Sequence, residues 1–195
     1  MYKRQNGFFY ISYYDTNIGT HNVVYTDIEN TDNYDHIYQS DLCGWVGQLG
    51  YNKDSIYGAN VFTAEGNETL KAASFYATGK DSQYELYVVR QFEDETSLEK
   101  MIPVASGKLG NAGYYTVDFN QGIEVDAGER YAVVLYIITP GSVHPMAIEY
   151  AADEATENVD LDDGESYISA NGSKWVSVDT VEKSNLCIKA FSDNR

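Results

Sequence analysis

Proline is scarce in this 195-residue chain, with three residues, and cysteine is rarer still, with two. Cys43 and Cys187 permit one bridge and compel none, so no disulfide framework defines the fold. Both read as free, buried thiols, because Leu186-Cys187-Ile188 stands inside an apolar alternation where cysteine behaves as a small hydrophobe. At this length one domain, or one domain with a short appended segment, buries enough apolar surface to fold without staples or metal. Basic residues are also few, 13 Lys and Arg against 30 Asp and Glu, for a formal charge of −17. Such a surface repels phosphate backbones and anionic headgroups, which excludes nucleic acid as a partner, and the surplus acid reads as a solvated coat. No run approaches eighteen uncharged apolar residues, so no membrane insertion is expected. No basic-then-apolar leader follows Met1, so an export signal, if one exists, lies on sequence outside this chain. The three histidines, His21, His36 and His144, show no zinc-ligand spacing with each other or with Cys43.

What the chain has in abundance is tyrosine: 18 Tyr, with 7 Phe and 2 Trp, bring aromatics to 14%. That content suits pleated, half-buried strands in which rings pack on cross-strand neighbours and hydroxyls reach water. Residues 8–13 form an aromatic strand candidate bounded by Asn6-Gly7 and Asp15-Thr16-Asn17. A mostly polar connection then runs to about residue 55, with one short strand-like run at 23–28. Beyond it, strand candidates recur at short spacing: 56–64, 70–78, 84–92, 101–109, 114–119, 130–139, 146–150, 167–169, 174–178 and 186–191. Helix signals are thin. The stretch 93–100 holds helix formers but one apolar side chain, Leu98, and reads as an exposed hairpin loop; the acidic stretch 153–163 reads as a surface excursion. The predicted class is all-β, an antiparallel sandwich of jelly-roll type with a long irregular N-terminal segment.

Oxygen-rich loops raise calcium as a possible ligand, through Asp32, Asp35 and Asp41 or through Asp160, Asp162 and Asp163, although no cofactor is required. The second cluster lacks glycine at the sixth loop position and fails the EF-hand pattern. Turn formation by Asp side chains is the competing explanation for both. Sugar recognition needs aromatic faces with adjacent hydrogen-bonding groups. Tyr38, Trp45 and Tyr51, flanked by Gln39, Asp41, Gln48 and Asn52, supply both kinds of group, and Trp175 after Asn171-Gly172-Ser173 adds another ring on a turn. Each ring could instead plug the core. With 30 acidic residues, a pair of carboxylates suitable for glycoside hydrolysis is no criterion at all.

Asn6-Gly7-Phe8-Phe9-Tyr10-Ile11 resembles the last strand of papain-like cysteine peptidases. The text that follows resembles the lectin-like domain found directly after that catalytic unit in secreted peptidases of Clostridia-type bacteria. The resemblance is carried by Asp32-Asn33-Tyr34-Asp35, Gly44-Trp45-Val46-Gly47, Ala59-Asn60-Val61-Phe62, Ala127-Gly128-Glu129-Arg130-Tyr131 and Cys187-Ile188-Lys189-Ala190-Phe191. It divides the chain into a strand remnant of the catalytic fold at 1–16, a linker or loop region at 17–55, and a lectin-like sandwich at 56–195.

The resemblance implies a secreted or cell-surface module with no reaction of its own. Leu42-Cys43-Gly44-Trp45, with His36 seven residues earlier, lacks the Cys-Gly-Ser/Ala-Cys-Trp text of the papain-like nucleophile. The implied partners are a glycan, a cell-surface or protein ligand, or the parent peptidase domain itself. In the last case the Trp45 and Tyr51 region would be an interdomain seal and the module a structural spacer.

Overall fold

The computed structural model of the chain describes residues 4–5, 8–9, 12, 14, 16, 23–26, 28, 30, 32–162, 164–178 and 182–195. They fall into two compact units, Met1–Asn33 and Tyr34–Arg195. In the first, β1 (Arg4–Gln5) and β2 (Phe8–Phe9) pair antiparallel, with Arg4 opposite Phe9. Of the strand expected at 8–13, residues 10, 11 and 13 lie outside the described residues, as does most of the 1–16 remnant. Residues 23–26 and 28 are not in a strand. Val23, Val24, Tyr25 and Ile28 are exposed, so the apolar text there meets no partner face.

The second unit begins earlier than residue 56. Within the stretch read as linker, β3 (His36–Tyr38) and β4 (Gly47–Leu49) each join a sheet. Three residues are too few to show a period, and pairing with long partners substitutes for intrinsic signal. Then come β5 (Ser55–Thr63), β6 (Glu68–Ala77), β7 (Ser82–Val89), β8 (Ile102–Leu109), β9 (Gly113–Val125) and β10 (Arg130–Ile138). The series closes with β11 (Met146–Glu149), β12 (Ser166–Ser169), β13 (Val176–Ser177), β14 (Asn185–Leu186) and β15 (Ile188–Asn194).

A six-stranded sheet runs β13-β12-β5-β10-β7-β8, a four-stranded sheet β3-β15-β6-β9, and a three-stranded sheet β14-β11-β4. Every pairing is antiparallel, and the chain changes sheet between β5 and β6, β6 and β7, β8 and β9, and β9 and β10. The architecture is an all-β sandwich, as the strand candidates recurring at short spacing predict.

Its core draws Ile56, Leu86, Tyr131, Val133 and Leu135 from the large sheet, and Leu70, Phe75, Phe119 and Ile188 from the four-stranded sheet. Each such side chain contributes about 1.5–3 kcal/mol by leaving water. Asn60 sits inside this core, 1% exposed, and its amide donates to Leu186 O at 2.9 Å and Ile188 O at 2.8 Å while accepting from Ser166 Oγ at 2.7 Å. One polar side chain thereby ties β5 to β12, β14 and the start of β15.

The central strands of the large sheet are covered on their outer face too. Ala59, Val61, Val89, Ala132 and Val134 pack there with Phe92 and Leu98. Leu98 belongs to a 3-10 turn, Glu95–Glu99, whose start is capped by the Asp94 carboxylate accepting from Thr96 N at 3.0 Å. The exposed hairpin loop expected at 93–100 is thus a capped turn pinned by one fully buried leucine. A single apolar residue suffices because the sheet face beneath it is itself apolar.

Candidate contact site

The loop between β3 and β4 carries Trp45, and its foot is buried and charged. Asp41 is fully buried, with Oδ2 3.4 Å from Lys189 Nζ, and Lys189 also donates to Gln39 Oε1 at 2.7 Å. Glu149 on β11, also fully buried, accepts the Cys43 backbone N–H at 2.5 Å and the Asn185 side-chain amide at 3.0 Å. The same amide nitrogen donates to Ser40 O at 2.9 Å and Asp160 O at 3.0 Å. Backbone bonds from Gly44 N to Asp41 O and from Val46 N to Ile148 O complete the loop. Gly44, at φ +69°, turns the chain where an added Cβ would come 3.0 Å from the Tyr76 hydroxyl. A side chain is disfavoured there by backbone conformation and by space.

This frame lays Trp45 on the outer face of the four-stranded sheet. Its ring lies 5.7 Å from Tyr76, whose ring lies 5.0 Å from Tyr114. Tyr76 and Tyr114 are direct cross-strand partners, and the Tyr114 hydroxyl is 2.6 Å from Ser74 Oγ. Trp45 is 37% and Tyr114 45% exposed, so the strip offers ring surface to solvent while its base is fixed. Nearby on the same face, Tyr34 packs against Phe191 at 4.9 Å and donates to Asp118 Oδ1 at 3.1 Å.

The charges at the foot are set by burial. Asp41 is held above the usual carboxylate range because burial outweighs the Lys189 ammonium. Burial, with Asp41 and Glu149 beside it, pushes the Cys187 thiol far up. Cys43 is exposed, yet desolvation around its sulfur and the Glu149 carboxylate raise it too, the reverse of what a nucleophilic thiol requires. His36 is engaged elsewhere, 3.0 Å from Asn194 Oδ1 and 3.4 Å from Glu65 Oε2.

The other expected contact residues scatter. Tyr38 points into the sandwich, T-shaped against Tyr131 at 5.8 Å, and its hydroxyl donates to Glu68 Oε1 at 2.7 Å. It is a core residue supporting a buried carboxylate. Tyr51 stands on a separate turn, partly exposed, and Trp175 lies at the other sheet, edge-on to Tyr57 at 6.2 Å. Of the suggested calcium ligands, Asp41 is committed to Lys189, and Asp35 Oδ2 accepts from Asn194 N and Nδ2 at 2.8 and 3.0 Å. Asp32 belongs to the first unit, and Asp163 lies outside the described residues. Among the described residues no group of three His, Cys, Asp or Glu is placed to hold a metal. Tyr76, Tyr114, Glu149 and Lys189 were not singled out by sequence. Their roles depend on pairing across distant strands, which no local pattern encodes.

A family model described as a lectin-like domain matches residues 37–192. Among solved structures, the chain is similar to the clostridial cysteine protease Cwp84 after propeptide cleavage, at 24% identity and a TM-score of 0.68, covering 82% of this chain and 40% of that one. It is also similar to the cysteine protease and lectin-like domains of Cwp84, a surface layer associated protein of Clostridium difficile, at 21% identity and a TM-score of 0.64, covering 82% of this chain and 36% of that one. These likenesses concern the fold, and the chain spans well under half of either. No curated protein matches.

Proposed function

The chain belongs to the lectin-like domain family, and on that premise we propose that it is the non-catalytic contact module of a secreted, papain-like cysteine peptidase, binding carbohydrate, cell-surface or protein ligands. The observation that carries this function is the Trp45–Tyr76–Tyr114 strip, an aromatic surface in which Trp45, on a loop anchored by two buried carboxylates, lies over two strand tyrosines. A strip of rings lying side by side on a sheet face suits a macromolecular surface, where rigid aromatic residues supply contact area at low entropic cost. The raised thiols of Cys43 and Cys187 disfavour a thiolate nucleophile at either position, which supports a non-catalytic reading. A cell-surface location follows by analogy with the surface layer associated relative.

The test is binding of the purified chain to a clostridial cell-envelope preparation, with Trp45→Ala and Tyr114→Ala alongside. Wild-type binding weakened by both substitutions supports the proposal; equal binding by all three removes the strip from it.

A second function is favoured by one observation. A relative was solved with its protease and lectin-like domains together, and this chain matches 36% of that longer chain. The module would then pack on its own peptidase domain as a stabilising spacer with no external ligand. Mixing the chain with the separately expressed peptidase discriminates: tight association lost in Trp45→Ala, with no envelope binding, selects the spacer.

A further inference from the structure

The outer face of the six-stranded sheet carries a groove of about 390 Å³ over β10, β7 and β8, far in the topology from the Trp45 loop. Its floor is two rows of side chains fixed by strand register. Tyr136 stands opposite Glu85, which stands opposite Ser106; Ile138 stands opposite Gln83, which stands opposite Lys108. The rows are two residues apart along the strands, about 7 Å, and span three strands, about 10 Å. That footprint accommodates one or two hexopyranose rings, and the volume lies at the low end of the usual range for small-ligand sites.

One wall is aromatic and braced. Tyr57 stacks on Tyr136 at 4.2 Å with 22° between the rings. Since β5 lies on one side of β10 and β7 on the other, Tyr57 covers one face of Tyr136 and leaves the other toward the groove. Tyr57 is itself backed: Trp175 meets it edge-on, and the turn at Gly172, φ +74°, closes so tightly that an added Cβ would lie 3.2 Å from its ring. The exposed residues opposite offer a mixed set of groups: an amide at Gln83, a hydroxyl at Ser106, an ammonium at Lys108, and a Glu85 carboxylate held by the Tyr87 hydroxyl. Lys108 is balanced by Asp81 at 3.2 Å, so the groove presents no uncompensated cation, and the chain's net charge of −17 disfavours an anion.

We infer that this groove is a binding site for an uncharged saccharide, whose C–H face lies on Tyr136 and whose hydroxyls bridge the alternating donors and acceptors of β7 and β8. A ligand that is apolar on one side and richly hydroxylated on the other matches the lining, whereas an acidic polysaccharide does not. The inference rests on the contact-module function above and assigns its carbohydrate component to a surface separate from the Trp45 strip.

The experiment titrates the whole chain with cellohexaose, chitohexaose and mannohexaose, with a heparin hexasaccharide as the anionic comparator, while following tyrosine ring resonances by NMR. At least one neutral probe is expected to bind at millimolar concentration or below. Its affinity should fall about ten-fold or more in Tyr136→Ala and in Ser106→Trp. Ser106→Trp fills the groove from an exposed position, so it keeps the test valid if loss of the Tyr57–Tyr136 stack impairs folding. Binding that survives Ser106→Trp, binding of heparin alone, or no neutral binding at all overturns the inference. A chain that binds no saccharide yet still holds the cell envelope through Trp45 overturns it while leaving the contact-module function standing.

Discussion

Glu149 Oε1 accepts the backbone N–H of Cys43 at 2.5 Å, so a fully buried carboxylate on β11 holds the loop that presents Trp45. Glu149→Ala leaves that N–H without its acceptor and takes one of three acceptors from the Asn185 amide. The expected cost is about 3 kcal/mol of unfolding free energy, with a larger local effect on the loop. Urea unfolding checks the first, and amide hydrogen exchange at residues 43–46 checks the second. Unchanged exchange there would mean that the loop is held by its backbone bonds alone.

Asn60 offers a comparable test of the core. Asn60→Ala removes two donors to buried carbonyls and the acceptor of Ser166 Oγ, and opens a small cavity. A loss of about 2–4 kcal/mol is expected, measured by urea or thermal unfolding. Leucine at this position should do no better, since the carbonyls of Leu186 and Ile188 would still lose their partner.

The acid limb of stability should depend on Glu68. Burial pushes its carboxyl up, but hydrogen bonds from Ser192, Tyr38 and the Gly66 N–H outweigh burial and hold it below the ordinary value of 4.5. A depressed carboxylate stabilises the fold above its unfolded pKa and loses that contribution as pH falls through the folded one. Asp41 acts in the opposite sense. Its folded pKa is raised, so ionisation in the buried site costs stability above that value, and the cost is relieved on acidification. Thermal melts from neutral pH down to about pH 3 should therefore show a shallower acid decline in Glu68→Gln and a steeper one in Asp41→Asn. Parallel curves for all three proteins would remove both residues from the linkage.

Trp45→Ala should be nearly silent for stability, within about 1 kcal/mol, because the ring is partly exposed and its loop is held by other groups. Leu98→Ala, by contrast, empties a fully buried site on the outer face of the large sheet and should cost about 2–4 kcal/mol. Comparing the two by chemical unfolding separates a contact residue from a packing residue.

The long central strands were legible because they are runs of 8 or 9 residues rich in aromatic and branched apolar side chains, as at β5, β7 and β10. The three-residue strands β3 and β4 were not, since their stability comes from β15 and β11 rather than from their own composition. Leu98 was visible as a lone apolar residue, but the apolar sheet face that receives it exists only after folding. At the contact site, Trp45 was legible as an aromatic residue in a polar loop. Its neighbours Tyr76 and Tyr114 were hidden inside strand text, and they become a surface through register. Glu149 was the least legible, because acidic residues in so acidic a chain read as solvated, and Asp41, legible as a calcium-ligand or turn candidate, carries no local mark of a buried anchor.

The most direct measurement is the affinity of the purified chain for clostridial cell envelope and for the separate peptidase domain, compared with that of Trp45→Ala under the same conditions. Contact through the aromatic strip predicts a loss of about ten-fold or more on the target that wild type binds, with folding intact by thermal melt. Equal affinities for wild type and Trp45→Ala on every target bound would contradict it.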